Sequence, residues 1–165
     1  MSSAADLPVW GVEGPVQAEV FVLRLHSRGP ELAGPCGPDA WYIEVGQDED
    51  PVGVVSRLST NLLGPPLLVH STSWRRARGS VILSFIVVIR DDQARQYPGV
   101  AVGRAELARS AAAEAPRSIA ASQVIEHGLR HLSWLARDDE VVKELLSADW
   151  KTVLAGYLPE PFRHL

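Results

Sequence analysis

The stretch "EDPVGVVSRLSTNLLG", residues 49–64, carries the punctuation of a helix and little of the surface chemistry such a helix usually has. Asp50 is a side chain that accepts from the free N–H groups at a helix entrance. Pro51 has no N–H to leave unbonded, and its φ is already helical. Gly64, followed by Pro65 and Pro66, ends the segment. A helix over 51–63 follows. Between Pro51 and Gly64 there is no carboxylate at all.

The segments around this helix define its setting. Upstream, "WYIEV" at 41–45 reads as a short strand and "GQDED" at 46–50 as an acidic turn. Before them, "AEVFVLRLHS" at 18–27 has the β-branched and aromatic content of a strand. "RGPELAGPCGPDA" at 28–40 holds three Gly and three Pro and reads as a loop. Residues 1–15 read as a loose arm. Downstream, "LLVHSTSW" at 67–74 and "SVILSFIVVIR" at 80–90 flank the basic turn "RRARG" and predict a hairpin. The second of these is apolar on both faces, which belongs in the middle of a sheet. "DDQARQYPG" at 91–99 reads as a loop, "VAVGRAEL" at 100–107 as a strand, and "ARSAAAEAPR" at 108–117 as a linker. In "SIAASQVIEHGLRHLSWLARDD", 118–139, Ile119, Val124, Ile125, Leu129, Leu132 and Leu135 fall on one stripe at helical spacing. A last helical stretch covers 139–157, with a break near Ser147–Asp149, before Pro159 and Pro161. Strands, one helix, more strands and then helices make an α+β pattern: a mixed β-sheet flanked by helices.

The composition sets limits. The chain has 165 residues, enough for one domain with a real core, and 46% of them are hydrophobic. Its net charge of −4 gives no general attraction to nucleic acid or to an anionic membrane. The run "VILSFIVVI", 81–89, is too short to cross a bilayer. Cys36 is the sole cysteine, so there is no disulfide framework, and the N-terminus lacks the regions of a signal peptide. A cytoplasmic protein is expected. Of sixteen basic residues only Lys143 and Lys151 are lysines. That bias suits a GC-rich bacterial genome and weakens any single arginine as a sign of phosphate binding.

Glu49, Arg57 and Gly64 stand at the spacing of the Nudix box, G-x5-E-x7-R-E-U-x-E-E-x-G-U, where U is aliphatic. Val54 and Val55 take its two small apolar positions, and Asp50-Pro51 resembles its helix start. The preceding strand and turn and the two following strands agree as well. The resemblance covers about residues 18–105 and implies a Nudix-like core over 16–110, with helices over 111–165 packed on the same domain as a C-terminal extension. In that family the three helical glutamates hold magnesium or manganese and help activate water against a diphosphate. Here those positions are Leu58, Asn61 and Leu62; the opening Gly is Ile43, the middle aliphatic residue is Ser59, and the last is Pro65. Positions 58, 61 and 62 share one helix face through i+3 and i+4 spacing. Mg²⁺ binds hard, preferably anionic oxygen and dehydrates reluctantly, so Leu, Asn and Leu offer it almost nothing. Without the ion, the charge developing on a diphosphate loses its main stabiliser.

The remaining chemistry-bearing residues form no recognised catalytic set. His127 and His131, four apart on a helix, present two nitrogens on one face, and a metal would draw a third ligand from His70 or His26. The order E-H-G-L-R-H lacks the base of a zinc metalloprotease, so no metal is expected there. Arg75, Arg76 and Arg78 cluster in the hairpin turn, where they would grip a phosphate or simply be solvated. "QDED" lacks calcium-loop spacing, and Cys36 has no nearby base. Trp41, Trp74, Trp134 and Trp150 fall in elements and are expected in the core.

Two functions are open on this reading. The first is a non-catalytic Nudix-like binding or protein-interaction module with no cofactor and no catalytic residue, built on Glu49, Arg57, Leu58, Asn61, Leu62, Arg75 and Arg76. Its partner would be an unknown small molecule or protein, with self-association through the apolar C-terminal helices. The second is a divergent metal-dependent hydrolase of a nucleoside diphosphate derivative. Glu49 with Glu44 or Asp48 would then hold the ion, and Arg75 and Arg76 the phosphates.

Overall fold

The computed structural model describes residues 14–27, 29–107 and 120–160. The expected linker over 108–117 and most of the expected arm over 1–15 lie outside them. The described elements are β1 (Val16–His26), β2 (Gly29–Leu32), β3 (Trp41–Val45), α1 (Pro51–Leu63), β4 (Leu68–Ala77), β5 (Ser80–Val88), β6 (Val100–Ala101), α2 (Ala121–Asp138), α3 (Glu140–Leu145) and α4 (Ala148–Leu154).

One mixed sheet joins all six strands, in the order β4-β5-β1-β2-β6, with β3 paired to β1. β1 runs parallel to β5, from Val16 against Val81 to Leu23 against Val88, and the other pairings are antiparallel. Eleven residues long, β1 serves two short partners in turn: β3 beside Val16–Val20 and β2 beside Leu23–His26. The expected α+β class holds. β5 is central, as its two apolar faces require.

The alternation of side chains along β1 and β5 divides the interior in two. Ala18, Val20 and Val22 join Phe85, Val87 and Ile89 on one face, where α1 packs through Val54, Val55 and Leu63. Phe21 and Leu23 join Ile86 and Val88 on the other, under Val124, Ile125, Leu129 and Leu132 of α2 and residues of α3 and α4. Gly128 sets the distance of that second layer. A Cβ there would stand 2.2 Å from Ile86 Cδ1.

Three expectations are corrected. The loop over 28–40 contains β2: its Gly and Pro suggest a loop, yet Pro30 pairs with Leu25 and its carbonyl accepts from Val102 N–H at 3.0 Å. The strand over 100–107 shrinks to Val100–Ala101, because Arg104 turns away from the sheet to reach α2. The basic turn shrinks to Arg78 and Gly79, both at positive φ (52° and 76°), the geometry of a tight two-residue hairpin. Arg75 and Arg76 are therefore strand residues. The break in the last helical stretch falls where expected, with Ser147 capping α4 by accepting from Trp150 N–H. Among the described residues, no helix is long and apolar enough to cross a membrane.

Candidate functional site

The turn and helix of the box are built as the sequence requires. Asp50 accepts from Gly53 N–H at 2.9 Å, Pro51 opens α1, and Gly64, at φ 85°, closes it. Glu49 serves this turn: its Oε2 accepts from Gly46 N–H at 3.0 Å, and its Oε1 lies 3.6 Å from Arg57. Both partners of that ion pair are largely exposed, so the pair contributes little. Leu58 packs against the α1-side core, while Asn61 is exposed and Leu62 is 38% exposed. Ser59, in the aliphatic position, is fully buried with its hydroxyl unbonded. At the exit, Gln93 Nε2 donates to the carbonyls of Leu63 (3.1 Å) and Pro65 (3.0 Å), fixing the helix end to the loop after β5.

Arg75 and Arg76 do not act together. Successive strand residues face opposite sides of a sheet. Arg76, exposed, stands on the side that α1 covers, and Arg75 on the other. There Arg75 meets Glu19 bidentately, at 2.9 and 2.5 Å, and Glu19 also accepts from Tyr42 (2.9 Å) and Ser84 (3.0 Å). Burial pushes the Glu19 carboxyl up. The hydrogen bonds from Arg75, Tyr42 and Ser84 outweigh this and hold it below the usual carboxylate value. Nothing in the sequence singles out Glu19 except that it is the one carboxylate in a largely apolar strand.

His131 sits inside a ring stack, not on an open helix edge. Its centroid is 4.9 Å from that of His70, with the planes 17° apart, and 5.7 Å from that of Trp134. Its Nδ1 is 3.2 Å from the Glu160 carbonyl. Parallel rings do not aim two nitrogens at one ion. Among the described residues, no group of three or more His, Cys, Asp or Glu is placed to hold a metal. His70 Nε2 is buried without a partner, and burial, with His131 close by, pulls the His70 pKa down to about 4. Of the four tryptophans, Trp150 is buried, while Trp41 and Trp134 are partly buried against the two cores. Trp74 corrects the expectation: it is 62% exposed.

A second buried carboxylate, also unread in the sequence, organises the far side of α2. Glu126, 1% exposed, accepts from Arg104 (3.1 Å twice), from Arg130 (3.1 Å) and from Ala105 N–H (3.4 Å). Burial raises its pKa, but the two arginines more than reverse that and leave it low. Arg130 also reaches Glu160 at 3.1 Å, and Arg104 lies over the Tyr157 ring, 4.1 Å from its centroid. A depression of about 530 Å³ opens beside this cluster, floored by Arg104, Glu126 and Arg130 and walled by Ala105, Glu106 and Leu107. Its charges cancel, two arginines against two glutamates. Its arginines already tie residues 102–107 and 156–160 to α2.

Neither comparison with protein-family models nor comparison with curated proteins gives a match to this sequence.

Proposed function

We propose that this chain is a Nudix-like domain in which the box survives as scaffold, and that it works as a binding or protein-interaction module without metal-dependent hydrolysis. One observation carries the reading: α1 keeps its caps and its packing but presents no carboxylate on its solvent face. Two more support it. Glu49 accepts from its own turn and lies near Arg57, and Leu58 packs, partly buried, against the α1-side core. Of the two arginines that the hydrolase reading gives to the phosphates, Arg75 and Arg76, the first is neutralised by Glu19. On this reading the protein is bacterial and cytoplasmic, and its copies associate through the C-terminal helices, where Val141 (67%) and Leu145 (39%) of α3 remain exposed, as does Leu158 (50%) just after α4.

Thermal unfolding in rising Mg²⁺ and Mn²⁺ tests the loss of the ion site, because an ion that prefers the folded state must raise the midpoint. The expected result is the same flat response for the wild type and for Glu49→Gln. A midpoint rise that Glu49→Gln abolishes, together with phosphate release from nucleoside diphosphate derivatives, would restore the hydrolase.

A further inference from the structure

β4 is the outer strand of the sheet, and among the described residues its one neighbour is β5. A register shift between Ser71 and Ser73 interrupts it, and the bulged Thr72 is buried beneath α2 near Gly128. From Ser73 to Ala77 the ladder is regular again, and it ends in the tight Arg78–Gly79 turn. This half of the strand offers a free row of backbone N–H and C=O groups, which can template another extended chain.

The two faces of that half-strand differ in charge. On one side Arg75 is cancelled by Glu19. On the other, Trp74 and Arg76 alternate along the strand and Arg78 follows at the turn, all three exposed. Neither Arg76 nor Arg78 makes an ion pair with a described residue. An incoming strand therefore meets a large apolar surface and uncompensated positive charge on one face only. Two copies of β4 paired edge to edge would add their positive charges together, so the edge disfavours a second copy of itself.

We propose that the Ser73–Arg78 edge is a docking strand for an extended acidic segment of another protein. That segment adds to the sheet beside β4, with an apolar side chain over Trp74 and carboxylates at alternate positions opposite Arg76 and Arg78. Backbone pairing gives the binding, and alternate side chains give the selectivity. The inference needs only β4 and its charges, and it stands whether or not the box reading holds.

Two twelve-residue peptides test it, each titrated into the ¹⁵N-labelled full chain: one carries on a single face a central valine with glutamates on both sides of it and threonine at the intervening positions, the other has lysine in place of each glutamate. The expected result is that the Glu peptide shifts the Ser73–Arg78 amides and slows their hydrogen exchange, and moves Trp74 fluorescence to the blue, while the Lys peptide does neither. The double variant Arg76→Glu with Arg78→Glu, both at exposed positions, should lose about ten-fold in affinity for the Glu peptide, since directly opposed charges across strands attract or repel at this scale. It should gain the Lys peptide. Indifference to both peptides would overturn the proposal. So would charge-dependent binding without β4 amide protection, or protection of the same amides by self-association of the unliganded chain.

Discussion

His70 gives the sharpest test of the packing between the sheet and α2. Its ring is stacked on His131, and its Nε2 is enclosed without a hydrogen-bond partner, so the fold accepts it only as the neutral imidazole. Burial is the first cause of its low pKa and the neighbouring His131 the second; Asp139 opposes them. The fall from 6.5 to about 4 corresponds to roughly 3 kcal/mol at about 1.4 kcal/mol for each unit. His70 is not wholly enclosed, and solvent screening reduces the figure to about 2 kcal/mol. The sign follows from proton counting. Between pH 6.5 and 4 the unfolded chain binds a proton that the folded chain refuses, so stability falls as pH drops through this window. The contribution is complete above the unfolded value and exhausted below the folded one. Urea unfolding at pH 7.5, 6.5, 5.5 and 4.5 measures it, with His70→Phe as the control that keeps a ring and removes the titration. The wild type should lose about 2 kcal/mol more than the variant from the top of the range to the bottom. His131, also shifted down by burial, titrates in both proteins and largely cancels in the comparison. Glu19 and Glu126, held low, lose their contributions only below the usual carboxylate range. Equal pH slopes for the two proteins would refute the argument.

Gly128→Ala should destabilise by about 1–3 kcal/mol despite the better helix propensity of alanine, because the new methyl meets Ile86; a drop in the thermal midpoint of several degrees checks this. Glu126→Gln should cost about 3 kcal/mol, since it leaves Arg130 buried beside a neutral amide; hydrogen exchange should then speed up in residues 102–107 and 156–160, and unchanged exchange there would count against the clasp. Ser59→Ala should be neutral or stabilise by about 1 kcal/mol in urea unfolding, because it removes a buried hydroxyl that has no partner.

What the sequence reveals depends on how local the cause is. Helix α1 is legible to the residue, since Asp50, Pro51 and Gly64 act within one turn of themselves. The break before α4 is legible for the same reason, through the Ser147 cap. β5 announces its central place by being apolar on both faces. β2 is hidden because Gly29 and Pro30 carry the local signature of a loop, while β1 and β6 decide from outside that the segment is a strand. The polar clusters are hidden more deeply. Glu19 and Arg75 are far apart in the chain, as are Arg104 and Glu126, and nothing short of the sheet register or the path of the 102–107 segment brings them together. The exposure of Trp74 follows from its outer strand, a fact of topology that no residue near it encodes.

The distribution of acids links these observations. Each deeply buried carboxylate, Glu19 and Glu126, lies on the α2 side of the sheet and is met by a side-chain fork: Arg75 for the first, Arg104 and Arg130 for the second. A carboxylate so engaged has its lone pairs filled by N–H groups and its field cancelled at short range, leaving nothing to draw a divalent ion. The α1 side keeps Glu49 at the surface, bound to Gly46 and Arg57. In this fold the acids therefore tie segments together: β1 to β4 through Glu19, α2 to the segment after β6 through Glu126, and α2 to the segment after α4 through Glu160 on Arg130. Arg76 and Arg78, which make no ion pair with a described residue, sit elsewhere, together at the open edge of β4. Recognition by charge has its strongest physical basis at that edge, and there it favours an acidic partner over a metal ion or a second copy of the chain.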